Sequence, residues 1–259
     1  MGKVYFASDF HLGVGTRSAS LEREKRICRW LDRAATDADH IYLCGDLFDF
    51  WFEYGKAIPK GYIRFFGKLA ELRDNGIAIT VFTGNHDMWL FDYFPEELDI
   101  PVLRAPIQRE IGGKQFFIGH GDGLGPGDVG YKRLKRLFSN RYCQWLFARL
   151  HPNFGIGLAE YLSRRSRAAT QTEKFLGAEE EWLIAYCDRK LETLEITPDF
   201  FVFGHRHIPI DWLLKNGKSR YVNLGDWIHY NSYAVFDGQE LQMYFFEKDS
   251  QSLLVSNKP

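Results

Sequence analysis

Val4-Tyr5-Phe6-Ala7 runs straight into Ser8-Asp9-Phe10-His11. Four apolar residues without alternation read as a strand buried on both faces. The abrupt change to Asp and His puts polar, metal-ligating side chains at that strand's C-terminal end. The same phrase returns four times. Ile41-Tyr42-Leu43-Cys44 leads to Gly45-Asp46-Leu47-Phe48-Asp49, and Ile79-Thr80-Val81-Phe82-Thr83 to Gly84-Asn85-His86-Asp87. Phe116-Phe117-Ile118 leads to Gly119-His120-Gly121-Asp122, and Phe200-Phe201-Val202-Phe203 to Gly204-His205-Arg206-His207. Between the first three strands lie amphipathic stretches at 21–35 and 62–75, the second stopped by Gly76. Strand, helix, strand, helix, strand predicts an α/β layered domain, in which ligands gather where the strands end.

Toward the C-terminus, 220–224 and 232–236 read as strands, and Asp237-Gly238 turns a hairpin into a returning strand at 241–246. A returning strand is antiparallel, so mixed sheets are expected. The pattern breaks between the fourth and fifth motifs. Apolar residues at near-helical spacing over 132–150 predict one amphipathic helix, with others over 155–167 and 179–194. Residues of about 125–190 are therefore read as a helical insertion in a single domain spanning 1–259.

The chain has 259 residues, 45% hydrophobic and 26% charged, which is globular composition and excludes disorder. Its 33 Lys+Arg against 34 Asp+Glu give a net charge of −1 and exclude a simple polybasic nucleic-acid binder. The balance hides an asymmetry: residues 126–175 hold ten Lys/Arg against three Asp/Glu, so that window is +7 and the rest −8. Cys28, Cys44, Cys143 and Cys187 are far apart and read as reduced thiols, pointing to a cytoplasmic setting. The N-terminus lacks the apolar run of a signal peptide, and no stretch reaches the roughly 18 apolar residues of a membrane span.

The residues delivered to the strand ends form a mixed oxygen and nitrogen set that suits two divalent ions, Mn²⁺ with Fe²⁺ or Zn²⁺ as alternatives. Asp9 and His11, two apart, would point the same way from extended backbone and grip one ion; His205 and His207 would repeat that geometry.

D-x-H, G-D-x-x-D, G-N-H-D, G-H-G-D and G-H-x-H, in this order over residues 9–207, resemble the calcineurin-like metallophosphoesterases. The resemblance implies two mixed β-sheets packed together and flanked by helices. It also implies two ions, with Asp9, His11 and His207 on the first, Asn85, His120 and His205 on the second, and Asp46 on both. His86 would be no ligand but would face the phosphoryl group and act on the departing oxygen, with Asn85 orienting a phosphate oxygen. Asp49 and Asp87 are expected to hold ligand side chains from behind.

Within the superfamily, F-A-S-D-F-H-L-G, G-D-L-F-D-F-W and N-L-G-D-W resemble the UDP-2,3-diacylglucosamine diphosphatases of lipid A synthesis, which split a pyrophosphate to give UMP and a diacylated sugar phosphate. The branch implies a nucleotide-sugar lipid substrate contacted by Asn85, His86, Asp128, Ser166 and His205. Its best-known members carry Arg where this chain has His86. Basic residues interleaved with Leu, Phe, Tyr and Trp in the insertion suit phosphates, acyl chains and an anionic membrane surface, placing the protein peripherally on the inner membrane's inner face. No nucleic-acid partner is expected. The rival reading is a phosphodiesterase or nucleotide pyrophosphatase on a water-soluble substrate.

Overall fold

A computed structural model describes residues 2–125, 129–169, 174–248 and 251–257, without the side chains of 164–169 and 251. The first half alternates β1 (Lys3–Ala7), α1 (Arg17–Ala34), β2 (Ala38–Leu43), α2 (Ile63–Asp74), β3 (Ala78–Phe82), α3 (Tyr93–Leu98) and β4 (Val102–Leu103). β5 (Ile107–Ile111) and β6 (Lys114–Ile118) form a hairpin. Four helices follow: α4 (Val129–Phe138), α5 (Arg141–Phe147), α6 (Pro152–Ala169) and α7 (Trp182–Thr193). The chain then returns through β7 (Phe200–Phe203), β8 (Pro209–Leu213), β9 (Arg220–Leu224), β10 (Ser232–Phe236), β11 (Leu241–Phe245) and β12 (Val255–Ser256).

These strands make two six-stranded mixed sheets, ordered β11-β10-β1-β2-β3-β4 and β12-β8-β9-β7-β6-β5. β1, β2, β3 and β4 are parallel, as are β6, β7 and β9, and the hairpin partners run antiparallel. The two-residue period of a strand explains the layering. Val4 and Phe6 face the second sheet, packing with Phe116, Ile118, Val202 and Val222. Tyr5 and Ala7 face the other way, onto Ile27, Trp30 and Leu31 of α1. In β7, Phe200 and Val202 join the inter-sheet core, while Phe201 and Phe203 pack on Leu183, Ile184 and Cys187 of α7. The result is helix on sheet on sheet on helix, with Phe6 and Phe116 stacked across the middle at 5.6 Å.

Thr16 starts α1 by accepting from the Ala19 N–H, four residues before the expected start. Past the end of α2, Gly76 takes a φ of 84°, where a side chain would be strained. The single helix expected over 132–150 is two. Asn140 breaks it, because its side-chain oxygen accepts from the N–H groups of Tyr142 and Cys143 and so caps a new helix. Strands β4, β5, β8 and β12 were not expected. β4 and β12 are two residues long, and polar or charged residues interrupt β5 (IQREI) and β8 (PIDWL), so none shows a long apolar run. No described helix is long and apolar enough to cross a membrane.

Candidate metal centre

The five motif loops leave β1, β2, β3, β6 and β7 at one edge of the two sheets, and the backbone knits them together. Asp9 N–H donates to Gly45 O, His11 N–H to Asp46 O, Gly204 N–H to His120 O and Trp227 N–H to Asp9 O, all at 2.9–3.1 Å. Asp9, His11, Asp46, His205 and His207 all have φ between 45° and 70°. Asp9 and His11 are therefore not on extended backbone; each sits in the left-handed region, which costs roughly 1–2 kcal/mol per residue. The chain turns sharply there because it must leave the strand and bring its side chain back over the sheet edge. Asp9 and His11 still meet, but His205 and His207 do not share a target, contrary to the extended-strand expectation. Close approach also fixes two glycines: a Cβ on Gly84 would collide with Asp46 Oδ1, and one on Gly204 with Asp9 Oδ2.

Two donor sets result. In the first, His207 Nε2 is 3.0 Å from His11 Nε2 and 3.1 Å from Asp9 Oδ1, and His11 Nε2 is 3.8 Å from Asp46 Oδ2. In the second, His120 Nε2 is 3.4 Å from the same Asp46 Oδ2 and 3.1 Å from Asn85 Oδ1, which is 2.8 Å from His205 Nδ1. Asp9, His11, Asp46 and His207 converge tightly enough to hold one ion, and Asp46, His120 and His205 a second. Asp9 Oδ1 and Asp46 Oδ2 are buried and accept no hydrogen bond. Orphaned carboxylate oxygens surrounded by imidazole nitrogens fit divalent cations, since a buried anion otherwise goes uncompensated.

The electrostatics follow from this packing. Burial would raise the Asp46 carboxyl, but the His120 and His86 imidazoles outweigh it and hold it well below the usual range. Burial would likewise raise Asp9, and His11 and His207 overcome it. In return, His120, which burial alone would lower, is pushed up to about 10 by Asp46. Desolvation in the cleft and the neighbouring His120 pull half-buried His205 down to about 4. The Nδ1 of His120 is fixed 2.8 Å from Cys44 O, which turns Nε2 toward Asp46 and Asn85.

His86 stands outside both sets. Its N–H donates to Asp46 Oδ1 at 2.8 Å, its Nδ1 is 3.0 Å from Asp49 O, and its ring lies 5.2 Å from that of His11. His11, Asp49 and His86 form a third cluster within ligating reach. Asp49 stands beside His86, its Oδ1 3.6 Å from His86 Nδ1, and within the same cluster as His11 of the first set. Among the described residues Asp87 bonds to no side chain: it accepts from the backbone N–H of Gly84, Leu47 and Asp46, tying two loops together. Burial and the Asp46 charge push its carboxyl up to about 7. Asp128 lies outside the described residues, as does the side chain of Ser166.

Sequence reasoning missed several supports. Buried Arg23 donates from α1 to His11 O and Val14 O at 2.8 and 2.9 Å. Asp122 accepts from Tyr131 and Lys135 of α4 at 2.5 Å. Buried Asp226 accepts from the N–H groups of residues 228–230 and pairs with His229 Nδ1 at 2.8 Å. Only the G-H-G-D and N-L-G-D-W spellings hinted at the last two.

A family model for calcineurin-like phosphoesterase matches residues 2–209. The chain belongs to this family. Calcineurin-like phosphoesterases work with divalent metals, which agrees with the two donor sets. One relative, "UDP-2,3-diacylglucosamine hydrolase" of Porphyromonas gingivalis, is 41% identical over 95% of this chain and 98% of its own. Proteins of that name from Aeromonas salmonicida and Pseudomonas putida strain W619 are 28% and 30% identical, over 89% and 84% of this chain and 88% and 89% of theirs.

Proposed function

We propose that this phosphoesterase hydrolyses UDP-2,3-diacylglucosamine at its diphosphate: water adds to one phosphorus, the P–O–P bond breaks, and UMP and diacylated glucosamine 1-phosphate leave, a step of lipid A synthesis. The observation that carries the reading is Asp46 Oδ2, which faces both donor sets at the sheet edge. It is joined by the near full-length likeness to the hydrolase of Porphyromonas gingivalis.

Asp9, His11 and His207 would hold one ion, Asn85, His120 and His205 the other, and Asp46 both. Mn²⁺ suits the mixed donors, with Fe²⁺ or Zn²⁺ close behind. A bound pair of divalent ions supplies a lowered pKa for water and neutralises phosphoryl charge. The chain's own groups do the rest. Asn85 and His205 orient phosphate oxygens beside the ions, and His86, its Nδ1–H held by the Asp49 carbonyl, presents Nε2 to the departing oxygen and, as the imidazolium, gives it the Nε2 proton. Asp128 and Ser166 complete the substrate contacts of the branch.

Residues 1–259 act as one domain whose segment 125–190 caps the cleft. Among its described side chains, Leu137, Tyr142, Trp145, Leu146 and Phe154 are each more than half exposed, next to Lys132, Arg136, Arg141 and Arg149. That surface receives acyl chains, each buried CH₂ contributing about 0.8 kcal/mol. It also rests on the anionic cytoplasmic face of the membrane. Comparing UDP-2,3-diacylglucosamine, UDP-glucose and an aryl phosphodiester tests the reading. The diacylated substrate should have much the highest kcat/KM, through KM. Equal values would replace it with a water-soluble phosphodiester or nucleotide pyrophosphate.

A further inference from the structure

Ser163 belongs to α6, between β6 and β7, yet its hydroxyl reaches the metal edge of the sandwich. Its Oγ is 2.9 Å from Asp49 Oδ1, 3.2 Å from Asp49 O and 3.2 Å from His86 Nδ1, and the residue is half-buried. The backbone oxygen of Asp49, 3.0 Å from His86 Nδ1, can only accept. Nδ1 therefore carries the proton of the neutral ring, and Nε2 is the nitrogen left for the cleft. The serine has one proton to give and gives it to the Asp49 carboxylate, the nearest acceptor. Its lone pair then shares the Nδ1–H with the carbonyl. Serine, carboxylate and imidazole close into one triangle.

The same two loops that carry Asp49 and His86 also hold the preceding helices. Trp89 Nε1 donates to Phe138 O at 2.8 Å, and the Phe147 ring packs 4.6 Å from Phe52 and 4.9 Å from Trp89. Docking of α4–α6 and the orientation of His86 thus share one set of contacts.

We propose that Ser163 is a positioning residue that, from the docked α6 helix, keeps His86 Nδ1 protonated and bonded, so that the neutral ring is the Nδ1–H tautomer and Nε2, facing the phosphoryl group, is the nitrogen that takes up and delivers the catalytic proton. Catalytic geometry at the metal edge then depends on the helices that receive the rest of the substrate. The kinetic part rests on the proposed role of His86; the tautomer does not.

The test uses zinc-loaded protein, an aryl phosphodiester too small to touch α4–α6, and ¹⁵N shifts of the His86 ring at a pH where it is neutral. Ser163→Ala should keep both ions, move the ring nitrogens toward a mixture of tautomers and lower kcat about 10-fold, the lower range for an outer support, with KM unchanged. Ser163→Thr, which keeps the hydroxyl, should recover most of the loss. Placed on top of His86→Ala, Ser163→Ala should cost nothing more. An unshifted His86 spectrum in Ser163→Ala, or an equal loss in the His86→Ala background, overturns the proposal. A shifted spectrum with His86→Ala fully active would uphold the positioning and reject the role assigned to His86.

Discussion

In β1, Val4 to Ala7 are all buried, whereas no side chain of α4 or α5 is. Both stretches are rich in aromatic and aliphatic residues, so composition does not separate them. The sandwich spends its apolar surface on itself and gains a rigid edge on which seven polar groups are fixed. The α4–α6 helices leave theirs facing outward and hang on the sandwich by a few contacts, such as Trp89 to Phe138 and Ser163 to Asp49. One region is built to hold geometry, the other to meet something apolar. Under the proposed function, the difference teaches that exposure, not hydrophobicity, marks the recognition surface.

If this division is right, substitutions in the two regions fail in different ways. The largest effect belongs to Asp46→Ala, which removes the group shared by both donor sets. Activity should fall below detection and bound metal should drop by more than one ion per chain in elemental analysis; retention of two ions would break the assignment. His86→Ala should keep both ions and lower kcat by roughly 10²–10⁴-fold. Loss of an ion in that variant would bring His86 into the ligand set.

Next come paired core and surface truncations. Phe116→Ala, in the middle of the sandwich, should cost about 3–5 kcal/mol of stability in urea unfolding. Trp145→Ser should change stability by no more than about 0.5 kcal/mol. It should nevertheless raise KM for the diacylated substrate about 10-fold or more, as lost burial of a large side chain implies, and leave hydrolysis of an aryl phosphodiester alone. A stability loss in Trp145→Ser comparable to that of Phe116→Ala would erase the contrast.

The smallest effect tests the sandwich away from its metal edge. Burial, helped by Arg109 and Arg73, pulls half-buried His40 down to about 4 from its ordinary 6.5. Between those values the unfolded chain takes up a proton that the folded chain refuses. Stability present above pH 6.5 is therefore lost as pH falls toward 4. Because His40 is partly solvated, the loss should be about 1 kcal/mol. His40→Gln should remove that share of the difference between unfolding at pH 7.5 and pH 5, and an unchanged difference would show that His40 is not held neutral.

The fold was readable because β1, β2, β3, β6 and β7 are apolar on both faces, and only strands enclosed by layers need that. The seven polar groups were readable because each follows such a strand within a few residues. How they meet was not. Five take left-handed backbone, which no local pattern announces in Asp or His. The ends of α4 and α5 turned on the side chain of Asn140, and the edge strands had no apolar run to show. Ser163, Arg23 and Asp226 act across long stretches of chain, so nothing beside them in the sequence betrays the contact.

β1 lies between β2 and β10, with Phe6 pairing to Tyr42 on one side and Ala234 on the other. A ribosome therefore releases the first ligand loop long before its neighbour strand exists. His205, His207 and the Trp227 N–H that braces Asp9 also emerge late. Non-local pairings of this kind fold slowly and leave edges open in the meantime. On the proposed two-ion reading, loading is thus an event at the end of synthesis, and a chain cut short before β10 would carry all five motifs and none of the assembled centre.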